Sequence, residues 1–165
     1  MTDIDNFRAT QWSTIDGGPL AGDTFAGKAI LVVNTACHCG FTPQYAELQT
    51  LWRDYQGRGL VVLGVPCNDF GAQEPDPLPE INAFCEKNFG VEFPLTTKQK
   101  VKGPDAHPFY LWARKEMGAL AAPKWNFHKY LVGPDGRLFD WFSTVTKPGA
   151  AKIIKAIEKP LPATT

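Results

Sequence analysis

Two continuous apolar runs stand out in an otherwise mixed chain. Ala29-Ile30-Leu31-Val32-Val33 and Leu60-Val61-Val62-Leu63-Gly64-Val65 show no polar alternation, the pattern of strands buried on both faces. Between them Tyr45, Leu48, Leu51, Trp52 and Tyr55 recur at helical spacing. They mark the apolar face of a helix over 43–56. Thr42 suits its N-cap, Pro43 its first position, and Gly57 and Gly59 its end. A strand over 29–34, this helix and a strand over 60–65 make a right-handed βαβ unit with parallel strands. The loop after the first strand then leaves the sheet edge where open α/β folds bind ligands.

The remaining periodicities complete the order. Leu78, Ile81, Phe84 and Cys85 predict a helix over 78–88, stopped by Gly90. A short strand is expected over 93–96 and a helix over 106–115, around Phe109, Tyr110 and Leu111. The turn Gly133-Pro134-Asp135-Gly136 sits between 124–132 and 137–142, which read as an antiparallel hairpin. Pro148 opens a last helix with Ile153, Ile154 and Ile157 on one face. Near the start, Asp16-Gly17-Gly18 follows Trp12 and Ile15 and precedes Leu20, which signals a small hairpin. The order β-α-β-α-(α)-β-β-α predicts an α/β protein. Its architecture is a thioredoxin-like fold with an N-terminal β-hairpin extension and an inserted helix. No repeat or linker interrupts it, so residues 1–165 are expected to form a single domain.

Composition narrows the function classes. Seventeen Lys and Arg balance seventeen Asp and Glu, so no electrostatic field draws the chain to nucleic acid or to an anionic membrane. The apolar runs are far short of a membrane span, and no integral membrane contact is expected. The stretch Met1-Thr2-Asp3-Ile4-Asp5-Asn6-Phe7 lacks the basic and apolar regions of a secretory signal, which points to the cytoplasm. Four cysteines are too few to staple a scaffold of this size. Thiols kept for chemistry or metal are the better reading.

Cys39 is the leading candidate. It lies just before a predicted helix N-terminus, where unpaired N–H groups and the helix dipole favour a thiolate. Such placements lower a cysteine pKa from ~8.5 into the range ~3.5–7.5. A thiolate must be held charged without being quenched, and amide and indole N–H groups do this because they do not titrate near neutral pH. Gln73, in the loop after the second strand, is one such donor. Trp125 and Asn126, at the start of the hairpin, are two more.

At these positions the chain resembles the glutathione peroxidase family in its non-selenium, cysteine form. The resemblance is carried by Val33-Asn34 with Cys39-Gly40-Phe41-Thr42-Pro43-Gln44-Tyr45, and by Leu63-Gly64-Val65-Pro66-Cys67-Asn68 with Gly71-Ala72-Gln73-Glu74-Pro75. Phe84-Cys85, Gly90-Val91-Glu92-Phe93-Pro94, Val101-Lys102-Gly103 and Trp125-Asn126-Phe127-His128-Lys129-Tyr130-Leu131-Val132 follow in family order. It implies a thioredoxin-like fold, no cofactor or metal, and reduction of hydroperoxides. The family's catalytic tetrad falls on Cys39, Gln73, Trp125 and Asn126, the residues already singled out as thiol and donors.

Further expectations rest on the same resemblance. Cys85, by pattern a buried helix cysteine, occupies the place of the resolving cysteine in thioredoxin-dependent members. Pairing with Cys39 would require the helix around it to open locally, since a disulfide needs Cα atoms within ~7 Å. Thioredoxin is the implied reductant, with glutathione the alternative. The short connection over 117–123 resembles monomeric members with a site open to lipid hydroperoxides. Cys37 stands where the family usually has Ser and is read as a possible accessory thiol or a space-filler. A Cys37–Cys39 bridge is disfavoured by strain. Asp69 stands where Gln is commoner and is given no role, and Cys67 reads as a buried thiol. His38, His107 and His128 share no spacing that suggests a site. Two other classes remain open: a thiol-based peroxide sensor using Cys39, and a metal-binding protein using Cys37 and Cys39 as soft ligands.

Overall fold

The computed structural model describes residues 4–161. A short antiparallel hairpin of β1 (Gln11–Ser13) and β2 (Pro19–Ala21) comes first. Its turn depends on Gly17, whose φ of 93° is costly for any residue with a Cβ. Then follow β3 (Ala29–Thr35), α1 (Gln44–Tyr55), β4 (Leu60–Pro66), α2 (Leu78–Phe89) and α3 (Pro108–Met117). β5 (Lys129–Val132), β6 (Leu138–Phe142) and α4 (Ala151–Glu158) complete the chain. The main sheet has the order β4-β3-β5-β6, with β3 parallel to β4 and antiparallel to β5. This is the thioredoxin-like arrangement, with the hairpin outside the main sheet and two helices between β4 and β5.

The apolar runs are buried because both sheet faces are covered. All seven residues of β3 and of β4 are buried, and the strand period of two divides them between two cores. Leu31, Val33, Leu60 and Val62 face α1, α2 and α4 through Leu48, Ile81 and Ile157. Ile30, Val32, Val61 and Leu63 face α3 and the N-terminal hairpin through Phe109, Trp112 and Trp12. The carboxyl ends of β3 and β4 are thus held on a rigid double-sided support.

Four expected elements differ. The last helix, expected to open at Pro148, begins at Ala151 after a turn closed by Ala150 N–H to Lys147 C=O at 2.9 Å. The strand over 93–96 is reduced to single bridges, Gly64 with Leu95 and Thr14 with Thr96, since Pro94 has no N–H to extend a ladder. The chain crowds Gly64 there: a Cβ would sit 2.5 Å from Leu95 Cδ2. The first arm of the second hairpin becomes strand only at Lys129, because Phe127 has a φ of 64° and turns the preceding segment out of the sheet. The helix expected from 106 begins at Pro108, where His107 Nδ1 accepts the Phe109 N–H at 3.0 Å as its cap.

Candidate active site

Cys39 lies in the turn that carries the chain from β3 into α1, and it is buried. The turn winds without a break into the helix. Thr42 N–H donates to Cys39 C=O at 3.0 Å, Gln44 N–H to Phe41 C=O at 2.9 Å, and Tyr45 N–H to Thr42 C=O at 3.0 Å. Thr42 is therefore not the side-chain cap expected of it; α1 has none, since these first donors already have backbone acceptors. Its hydroxyl serves the cysteine loop instead. Thr42 Oγ1 accepts from Cys39 N–H at 3.0 Å and donates to Ala36 C=O at 2.8 Å. The Phe41 N–H points at Cys39 Sγ from 3.4 Å, a backbone donor aimed at the sulfur.

The loop after β4 lies over this turn. His38 N–H donates to Gln73 C=O at 3.0 Å, which ties Gln73 to the residue beside Cys39. Asn126 Nδ2 donates to Gln73 Oε1 at 3.1 Å and to Phe70 C=O at 3.4 Å. With its oxygen engaged, the Gln73 amide has its Nε2 donor end for other partners. The Trp125 ring packs on Phe70, centroids 6.0 Å apart, and against Gly71. A Cβ at Gly71 would meet the indole at 3.0 Å. Trp125 and Cys39 belong to one apolar cluster. The structure thus gathers Gln73, Trp125 and Asn126 into one contact group beside the Cys39 loop.

Asn34, fully buried at the end of β3, clamps the segment that bears Trp125 and Asn126. Its Nδ2 donates to Trp125 C=O at 3.0 Å, and its own C=O accepts from Phe127 N–H at 2.6 Å. Thr144 Oγ1 donates to Asn126 C=O at 2.7 Å. Lys129 Nζ donates to Phe127 C=O at 2.7 Å and to Thr144 C=O at 3.3 Å. These bonds hold the left-handed backbone of Phe127, which a bulky residue adopts only when its surroundings impose it.

The other thiols form a second group. Cys37 and Cys85 are both buried in the core cluster that also holds Cys39. The Cys37 thiol and the Tyr45 hydroxyl both favour a Cys85 thiolate, lowering its pKa against the effect of burial. Cys37 is pushed the other way by Cys85, by burial and by Glu74. Glu74 has no exposed surface. Its Oε1 accepts from Cys37 N–H at 3.1 Å, and burial raises its pKa. Cys67 is fully buried and pushed up to about 12, chiefly by burial.

A family model described as glutathione peroxidase matches residues 7–114. The chain belongs to the glutathione peroxidase family. It is a thiol peroxidase with a thioredoxin-like fold. A glutathione peroxidase-like peroxiredoxin of Chlamydomonas reinhardtii is 44% identical over 157 residues, 94% of this chain and 96% of that protein. A hydroperoxy fatty acid reductase of Synechocystis is 44% identical over 155 residues, 89% and 90% of the two chains. Among solved structures, the apo form of a protein titled Trgpx superposes with a TM-score of 0.75 at 35% identity, covering 97% of this chain and 100% of that one.

The remaining sequence candidates of this peroxidase have structural partners. Asp69 is engaged elsewhere: its Oδ2 accepts from Val101 N–H at 2.7 Å and Lys102 N–H at 3.2 Å, joining two loops. His38 pairs with Asp76 at 2.7 Å on the surface. His107 caps α3 and stacks on Trp12 at 3.8 Å. His128 is buried and pushed down to about 4, mainly by burial. Glu74, Tyr45 and Lys129 were not singled out from the sequence. Nothing in local pattern marks a loop carboxylate or a strand lysine as buried.

Proposed function

We propose that Cys39 is the peroxidatic thiol and that Gln73, Trp125 and Asn126 stabilise its thiolate and the leaving oxygen. The observation that carries this reading is the Asn126–Gln73 hydrogen bond, in a group tied by Gln73 C=O to the Cys39 loop. The thiolate attacks one oxygen of the peroxide bond, which cleaves to give Cys39 sulfenic acid and water or an alcohol. Preorganised neutral donors lower the cost of charge developing on that oxygen. Cys85 then attacks the sulfenic sulfur and releases water. The neighbouring Cys37 thiol and Tyr45 hydroxyl hold its pKa below the usual thiol value. Since Cys85 is fully buried, α2 must open for this step.

An external dithiol reduces the resulting disulfide by exchange. Thioredoxin is preferred to glutathione because a second cysteine stands at position 85. Peroxides on apolar chains are the preferred substrates. A groove of about 360 Å³ runs beside Trp125, lined by Leu120, Ala122, Trp141 and Val145, and the curated Synechocystis relative is named for hydroperoxy fatty acids. Among the described residues no helix is long and apolar enough to cross a membrane. A reducing compartment such as the cytoplasm suits a cycle that returns to free thiols, and the short 117–123 connection supports a monomer.

The test is hydroperoxide-dependent NADPH oxidation, coupled in parallel through thioredoxin with its reductase and through glutathione with its reductase. Turnover with thioredoxin, lost in Cys39→Ser, is expected. Cys85→Ser should retain one stoichiometric reduction and lose thioredoxin turnover. Undiminished activity of Cys39→Ser would overturn the assignment. Faster turnover with glutathione would overturn the choice of reductant.

A further inference from the structure

Three residues past Asn126 the chain buries a lysine that no step of the peroxidase cycle uses. Lys129 is fully buried in β5, opposite Phe142 of β6. Its Nζ donates to Phe127 C=O at 2.7 Å and Thr144 C=O at 3.3 Å, with Ser143 C=O at 3.5 Å. Filling that space needs only an apolar side chain, and taking an ammonium out of water is costly. The cation is therefore kept for what it does to those carbonyls. They belong to two segments that flank Asn126. Phe127 has a φ of 64°, a backbone that a bulky residue adopts only where its surroundings impose it. Its N–H is taken by Asn34 C=O at 2.6 Å and its C=O by Lys129. Thr144 follows β6, and its Oγ1 donates to Asn126 C=O at 2.7 Å. Gln44 Nε2, from the start of α1, donates to the same Thr144 C=O as Lys129, at 2.8 Å. One ammonium thus holds Asn126 by both routes, through the next residue in the chain and through Thr144.

We propose that Lys129 is a positioning residue for the peroxidatic step: by holding the Phe127 and Thr144 carbonyls it sets where Asn126 presents its amide to Gln73. This rests on the reading of Cys39 as peroxidatic and of Gln73 and Asn126 as its supporting donors. Asn126 Nδ2 gives to Gln73 Oε1 at 3.1 Å, and that contact decides which end of the Gln73 amide is left to donate. Without the ammonium, the Phe127 and Thr144 oxygens converge on one buried point and lose the donor they share. The left-handed turn at Phe127 loses the bond on its carbonyl side, and Asn126 shifts with it. A misplacement of about 1 Å in such a group costs about 100-fold in rate.

The test is a double-mutant cycle on the first chemical step. Reduced protein is mixed with hydrogen peroxide by stopped flow, and the second-order oxidation of Cys39 is followed by tryptophan fluorescence. This isolates the peroxidatic step from resolution and from the external reductant. Lys129→Met should slow it by about 10- to 100-fold. In an Asn126→Ala background the same substitution should change it by less than about 2-fold, because its effect runs through Asn126. A merely structural loss would appear equally in both backgrounds. Lys129→Gln keeps an uncharged N–H donor and carries the same cycle where the methionine variant does not fold. Equal losses with and without Asn126, or an unchanged rate in the Lys129 variant, would overturn the inference and leave the peroxidase reading intact. A rate unaffected by Asn126→Ala alone would overturn the role given to Asn126 and this inference with it.

Discussion

Replacing Lys129 by Met removes a buried cation from the segment that positions Asn126. The lysine has no exposed surface, and among the described residues its Nζ is held by carbonyl oxygens, of Phe127 at 2.7 Å, Thr144 at 3.3 Å and Ser143 at 3.5 Å. Burial pushes it down from 10.5 to about 7, with Glu47 opposing. In the unfolded chain it titrates near its ordinary value. Between these two values the unfolded chain binds more protons than the folded one, so stability rises with pH. At 1.36 kcal/mol per unit, the gain from about pH 7 to pH 9 is about 2 kcal/mol. His128, pushed down to about 4, has completed its similar contribution by pH 7. Cys67, pushed up to about 12, acts in the opposite direction as pH passes about 9. Both effects are common to the two proteins and cancel in the comparison. Urea unfolding followed by tryptophan fluorescence at the two pH values measures the difference. Wild type should gain about 2 kcal/mol more than Lys129→Met. Equal gains would refute the claim that the ammonium is held in the folded state at the cost of its own desolvation.

Three further changes test the supports of the site. Asn126→Ala removes the donor to Gln73 Oε1 and should lower kcat/KM for hydroperoxide by about 100-fold, the usual effect of losing one preorganised donor; an unchanged value would separate Asn126 from catalysis. Thr42→Val keeps the shape but strands Cys39 N–H and Ala36 C=O, and the urea midpoint should report a loss of about 1–3 kcal/mol. Gly64→Ala places a methyl 2.5 Å from Leu95 Cδ2 and should lower stability by about 1–3 kcal/mol in thermal melts, with a normal melting curve counting against the tight packing of 93–97 on β4.

The strands and helices were legible in the sequence where burial is dictated by period. β3 and β4 are apolar at nearly every position because both faces are covered, and α1 repeats its apolar face because one side meets the sheet. These signals are local, so the βαβ unit and the loop bearing Cys39 could be read from the chain. Gln73, Trp125 and Asn126 could be named as neutral donors and matched to family motifs. Their meeting could not be read, since it depends on long-range bonds such as Asn34 to Trp125 and Asn126 to Gln73.

What only the tertiary structure decided is where buried polar groups find partners. Thr42 looks like a helix cap in sequence, but its hydroxyl is better used inside the cysteine loop once the turn supplies the helix with backbone acceptors. Glu74 and Lys129 are ordinary charged residues in their segments. Burial changes what each does: one becomes the acceptor for the Cys37 N–H, the other a clamp on Phe127. Cys85 belongs by pattern to a helix core, and it does lie there. That it shares that core with Cys37 and Cys39 follows from how α2 packs on the sheet face covered by α1. The sequence determines which groups are available and which faces are apolar. Folding determines which of those groups lose water together, and that loss of water sets their chemistry.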